Sequence, residues 1–231
     1  MVKILHLYPN LMNLYGDYAN ITVLAKHLQD QGIKVKVDRK DIDDRIHIEN
    51  YDLIYMGSGT DSNLFIALND IVKYKSAIKK FINKGKTLLF TGNAMELLGK
   101  YVDSEDGLGI FDFDVEHVDH RFTGDVIVKN IDLGYVVGFI NKSSIIKGGE
   151  IDKLFEYVFM DDNLQDNNFE GYRKNNVFAT HIIGPVLVKN PEFMNEIIKS
   201  VAPKNYKFKN IRYSYEVDSY INTLQELKDR L

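Results

Sequence analysis

The 231-residue chain contains no cysteine and no tryptophan, and only 4 prolines. Without cysteine there is no disulfide, no thiolate metal ligand and no sulfur nucleophile. With so few prolines and 16 glycines, a collagen-like or disordered chain is excluded. No apolar run reaches the roughly 18 residues that cross a bilayer. The opening Met1-Val2-Lys3-Ile4-Leu5-His6-Leu7 is too short and too strand-like for a signal peptide. A net charge of −4 gives no global field to attract nucleic acid or to draw the chain onto an acidic membrane. The densest basic stretch, Lys199 to Lys209, reads as solvated surface. The six histidines include no H-x-x-x-H pair, so no metal or other cofactor is expected. What is present, 45% hydrophobic residues over this length, fits a cytoplasmic soluble protein with one sizeable core.

The first hundred residues alternate strand and helix signals. Val2–Tyr8 is a short apolar run stopped by Pro9. A helix is expected from a cap at Asn20 to Gln31, with Val23, Leu24, His27 and Leu28 on one face and Gly32 ending it. Strands are expected at Ile33–Val37, Tyr51–Met56 and Thr87–Phe90. One helix is expected over Leu64–Asn83, and another from Asn93 to Leu98 after a sharp turn. Such alternation with short loops predicts a parallel sheet with right-handed crossovers. The second half is β-rich at Gly107–Val115, Gly124–Val128 and Tyr135–Asn141. It continues with a polar loop over Asp161–Asn168, a strand over Val177–Ile182 and a helix starting at Pro191. A final helix carries the stripe Val217, Ile221, Leu224 and Leu227, to be buried on the domain or on a partner.

Four segments then stand out in order. They are Asn13-Leu14-Tyr15-Gly16-Asp17-Tyr18-Ala19-Asn20; Gly57-Ser58-Gly59-Thr60-Asp61; Leu97–Tyr101 with Gly107–Asp112 and Arg121–Asp125; and Gly184–Asn190. Together they resemble the cobyric-acid-synthase type of class I glutamine amidotransferases, in particular the glutaminase subunits of lipid II isoglutaminyl synthases. The resemblance implies an α/β, flavodoxin-like fold: a mostly parallel sheet flanked by helices. It covers residues 1–203, leaving 204–231 as a C-terminal extension with an amphipathic helix.

A glutaminase of this class attacks the glutamine amide with a cysteine on a tight strand-to-helix turn, helped by a histidine and by backbone N–H groups that hold the oxyanion. The family's elbow reads C-G-G-Y-Q-x-L-G. Here the same stretch is Gly92-Asn93-Ala94-Met95-Glu96-Leu97-Leu98-Gly99, so the nucleophile position is Gly92 and the glutamine position is Glu96. The family's H-G-P is Ile183-Gly184-Pro185, which places Ile183 at the base position. His181 lies two residues upstream, on the same face if the strand is continuous. The family's F-x-N-H-G-G is Phe139-Ile140-Asn141-Lys142-Ser143-Ser144. Arg121 matches a family arginine of the pocket or the subunit contact; the bland reading is a surface ion pair.

Thr91 and Ser58 are the only nearby stand-in nucleophiles, and neither has an adjacent base. Asp17, Asp61, Glu96 and Asp125 are expected to cap turns and helices. The expectation is therefore a catalytically degenerate, pseudoenzyme-like subunit or regulator, inactive as a glutaminase. It would be associated with a Mur-ligase-like amidating synthetase in cell-wall precursor (peptidoglycan) metabolism. The alternative is a module binding a glutamine-like small molecule in a vestigial pocket of Gly57, Ser58, Gly59, Asn93, Glu96, Arg121 and His181. An enzyme of a different reaction class is the third reading.

Overall fold

The computed structural model describes residues 1–164, 169–211 and 213–231, with Glu150 described by its backbone only. The last part of the expected polar loop, residues 165–168, lies outside them. The parallel half is β1 (Val2–Leu7), β2 (Val35–Lys40), β3 (Leu53–Met56) and β4 (Thr87–Thr91). Helix α1 (Tyr18–Asp30) joins β1 to β2, and α2 (Asp61–Ile71) and α3 (Lys75–Asn83) together join β3 to β4. Two small strands, β5 (Tyr101–Val102) and β6 (Glu105–Asp106), lead into a long hairpin, β7 (Phe113–Asn130) and β8 (Gly134–Gly148). The chain then runs through β9 (Lys153–Met160), β10 (Phe169–Lys174), β11 (Val177–Thr180) and β12 (Ile182–Ile183) to α4 (Val186–Lys189), α5 (Pro191–Val201) and α6 (Ser214–Lys228).

Strands β2, β1, β3, β4 and β11 are parallel neighbours in that order. This is the flavodoxin-like 2-1-3-4-5 order, with β11 as the fifth strand. Beyond β11 the sheet continues antiparallel through β10, β9, β7, β8 and β12. One core lies under α2, α3 and the segment after β4, and includes Leu68, Ile78, Phe90 and Phe113. The other lies under α1, α4 and α5, and includes Leu24, Leu28, Phe178 and Ile197. Strands buried on both faces read as continuous hydrophobic runs, which is why Leu53–Met56 and Thr87–Thr91 are legible in the sequence.

Several expectations change. Asn20 is not a cap: it lies inside α1, fully buried. The expected helix over Leu64–Asn83 is two helices linked by a 3-10 turn at Val72–Tyr74, and Thr60 caps the first by accepting from the Asn63 amide. The helix after the sharp turn is a 3-10 helix beginning one residue earlier, Gly92–Leu98. The separate β-rich stretches of the second half are the two arms of one hairpin, and β9 and β10 join them. The strand expected over Val177–Ile182 is broken at His181: β11 ends beside β4, and Ile182–Ile183 pairs with β8 instead.

The C-terminal extension packs back onto the domain. Gln31 exchanges two hydrogen bonds with the Lys209 backbone, and the Tyr213 ring stacks on His27 at 3.7 Å. Helix α6 buries Leu227 against Ile127 and Val137, with Leu224 and Tyr220 beside it. Arg230 then pairs with Asp125 and Asp161. The buried face is therefore Tyr220, Leu224 and Leu227, whereas Ile221 of the expected stripe is 54% exposed. Leu227→Ala should destabilise the protein by about 2–3 kcal/mol in equilibrium denaturation. Ile221→Ala should stay within about 0.5 kcal/mol of wild type.

Candidate functional site

Ligands bind in α/β sheets of this order beyond the carboxyl ends of the parallel strands. There β4 ends at Thr91, and Gly92 turns the chain with φ +60 into the 3-10 helix. Glycine adopts this left-handed conformation without strain. It also leaves a space that nothing larger fits. A Cβ at residue 92 would sit 2.5 Å from Ser58 Cβ, 2.6 Å from Ser58 Oγ and 2.9 Å from Ile183 Cγ2. Gly92 and Ile183, the two residues the motif alignment singled out, therefore pack against each other.

The neighbouring loop is tied down by Asn93. Its Oδ1 accepts from the Gly59 amide at 2.9 Å and from Ser58 Oγ at 3.2 Å, and its Nδ2 donates to the Gly59 carbonyl at 3.0 Å. An oxyanion hole needs a free loop N–H aimed at the reacting atom. The Gly59 N–H is engaged by a side chain instead. Asp17 supports the same loop from below, accepting from the Ser58 amide at 2.8 Å and from Thr91 Oγ1 at 3.3 Å. Gly57 allows this approach, since a Cβ there would lie 2.8 Å from Asp17 Cβ. Burial pushes the Asp17 carboxyl up to about 6, against the opposing hydrogen bonds of Ser58, Gly184 and Thr91. Tyr55 completes the layer: its hydroxyl donates to the Asp17 carbonyl and lies 3.0 Å from Thr91 Oγ1. Asn20 donates to that hydroxyl and accepts from the Leu187 amide. Thr91 is thus a strand-end residue held in a polar layer, its hydroxyl bonded to the Asp17 carboxyl and the Tyr55 hydroxyl.

Glu96 lies on the 3-10 helix and is 1% exposed, so its expected capping role gives way to another. Ser144 Oγ donates to Oε1 at 2.6 Å, and His181 Nε2 lies 3.2 Å from the same oxygen. His117 Nε2 is 3.2 Å from Oε2, and its Nδ1 is 3.1 Å from Asp103 Oδ2. Burial alone would raise the Glu96 pKa, but the hydrogen bonds and charges of His117 and His181 outweigh it and hold the carboxyl at about 2. The Glu96 contact raises His117 to about 9, against the effect of burial and with help from Asp103. The His181 amide donates to Glu170 Oε1 at 2.6 Å, and Thr180 Oγ1 donates to Oε2 at 2.7 Å. His181 therefore directs its ring Nε2 to Glu96. The two-residue spacing from Ile183 fails as a guide because the strand breaks at His181.

Arg121 lies on the exposed rim. It donates to Asp61 and to Asn141, each at 3.0 Å, and Ser143 Oγ donates to the same Asp61 oxygen. Asp125 is paired with Arg230. Lys142, in the histidine position of the family's F-x-N-H-G-G stretch, is 3% exposed. Sequence reasoning did not find His117, Asp103, Ser144 or Glu170, because no local pattern marks them. Among the described residues, no group of three or more His, Asp or Glu side chains is arranged to hold a metal ion. Also among them, no helix is long and apolar enough to cross a membrane.

The Glu96–His117 pair ties stability to pH at both ends. Glu96 stabilises above its ordinary 4.5, and this is lost as pH falls through about 2. His117 stabilises below its ordinary 6.5, and this is lost as pH rises through about 9. Glu96→Gln should cost about 3 kcal/mol near pH 6, because it strands a buried cation. It should also flatten the alkaline limb of a denaturation-versus-pH curve.

Comparison with known proteins gives the family and the fold. The CobB/CobQ-like glutamine amidotransferase domain matches residues 3–191. The subunit GatD of the glutamine-hydrolyzing lipid II isoglutaminyl synthase of Staphylococcus aureus is 29% identical over 212 residues, covering 88% of this chain and 85% of that one. Its Streptococcus pneumoniae counterpart is 29% identical over 213 residues, covering 89% and 82%. Among solved structures, PurLQS from Thermotoga maritima superposes with a TM-score of 0.55 at 16% identity, over 96% of this chain and 99% of that one. A glutamine amidotransferase superposes with a TM-score of 0.58 at 16% identity, over 85% and 98%; these two show the fold. With more than half of its length matched by the domain, the chain belongs to the CobB/CobQ-like glutamine amidotransferase family.

Proposed function

We propose that this chain is a non-hydrolytic member of its family, a subunit or regulator of a Mur-ligase-like amidating synthetase acting on a cell-wall precursor. The observation that carries the reading is the packing at Gly92, where there is neither a side chain to attack an amide nor room for one. Three differences from the family pattern act together. Ser58, in the Gly57–Asp61 loop, fills the space that a Cβ at position 92 would take. Asn93 stands where the family elbow has glycine and occupies the Gly59 amide. Ile183 replaces the histidine and cannot take a proton. A single lost group leaves a cavity; here the vacated volume is refilled, as expected of a core that has settled around the change.

The likeness to GatD, a subunit of a synthase by its name, supports the synthetase association. The vestigial-pocket reading gains no support from this geometry. Ser58, Asn93, Glu96 and His181 are buried, and their polar atoms bond to one another or to the adjoining loops.

The purified protein, alone or with its synthetase, should release no ammonia from glutamine, and the complex should amidate its substrate with ammonium but not with glutamine. Glutamine-dependent ammonia release that is abolished by Ser58→Ala or His181→Ala would overturn the proposal. Gly92→Cys should not restore hydrolysis. It should lower stability by about 1–3 kcal/mol through overpacking, read by chemical denaturation.

A further inference from the structure

We propose a second site, for a small organic anion, at the end of the sheet opposite the elbow. A cavity of about 410 Å³ opens there, lined by Lys79, Ile82 and Asn83 of α3, Gly109–Ile110, and Lys174–Asn175 of the β10–β11 turn, with Gly85 closing it. Its volume lies within the ordinary range for small-molecule pockets.

The lining has one sign of charge. Among the described residues it contains two lysines and no acid, on a chain with 33 acidic and 29 basic residues. A third lysine adjoins it. Gly109 has φ +58, and a Cβ there would lie 3.6 Å from Lys79 Nζ and 3.9 Å from Lys75 Nζ, so both ammonium groups gather over this backbone. Lys75 donates to the Gly107 carbonyl at 2.8 Å. Lys174 has only Asp152, at 4.0 Å, and Lys79 has no ion-pair partner among the described residues. Asn83 and Asn175 also line the cavity, and their side-chain amides have no hydrogen-bond partners among the described residues.

One effect opposes an anion. The C-terminus of α3 brings roughly half a negative charge to this end. Its last carbonyls, however, accept from the amides of Lys84, Gly85 and Lys86, and two to three full positive charges outweigh the remainder. Ile82 and Ile110 add an apolar wall. The ligand this chemistry fits is a carboxylate or phosphate ester carrying a small apolar body. The lysines are exposed, so the attraction is screened by salt over about 8–10 Å.

The test is thermal-shift and calorimetric titration of the full chain with benzoate, phenyl phosphate and inorganic phosphate, against chloride at matched ionic strength. A saturable stabilisation by benzoate or phenyl phosphate beyond that of chloride is expected, and whichever probe responds identifies the anionic group. Lys79→Gln/Lys174→Gln should weaken that binding by about tenfold or more. It should leave the unliganded stability within about 0.5 kcal/mol, since both positions are on the surface. A response equal to that of chloride, confined to inorganic phosphate, or unchanged in the double variant would overturn the proposal.

Discussion

A left-handed glycine without room for a β-carbon sits where three loops of this protein converge. Ser58 approaches from the loop after β3, Ile183 from β12, and Asn93 from the next residue of the elbow itself. Any side chain at position 92 would have to displace side chains that are themselves packed or hydrogen-bonded. The buried Asp17, Tyr55 and Asn20 beneath this contact hold the same loops from the opposite side, so displacement of one would be transmitted to the others. Closure of the elbow is therefore a property of the whole carboxyl end of the sheet and not of one residue.

The Glu96 cluster is the second consequence of that closure. An ionised carboxylate at 1% exposure is expensive unless cations and hydrogen bonds surround it. Here two imidazoles and a hydroxyl do so, drawn from β7, β8 and the β11–β12 junction. The same contacts fasten the antiparallel extension of the sheet to the elbow helix. His181 belongs to this framework, its ring nitrogen 3.2 Å from the Glu96 carboxylate. The groups left at the surface, Arg121 with Asp61 and Asn141, rim the closed site.

The parallel half of the fold was legible because buried strands and amphipathic helices write their periods locally. Val2–Leu7, Leu53–Met56 and Thr87–Thr91 are apolar runs, and Pro191 marks the start of α5. The elbow was legible through motif order. The hairpin arms were legible only in part, at Gly124–Val128 and Tyr135–Asn141; their full length and β9 were not, because strand pairing across a bulge between His117 and Phe122 leaves no continuous local period. The break at His181 escaped as well. Thr180 and Ile182 read as one strand, and only the pairing of Ile182 with Ile140 pulls the chain away.

By itself the sequence determined the family, the parallel sheet and the absence of any cysteine thiol from the chain. These follow from residue identity and local order, which need no coordinates. Tertiary structure alone decided that a β-carbon at position 92 would meet Ser58 and Ile183 and that Glu96 is an ion-paired core residue. Glu96 meets Ser144 and His181 across 48 and 85 residues of chain, and Asn93 meets Gly59 across 34. Contacts of that separation depend on how the layers pack, and packing is specified by the core as a whole and not by any one segment.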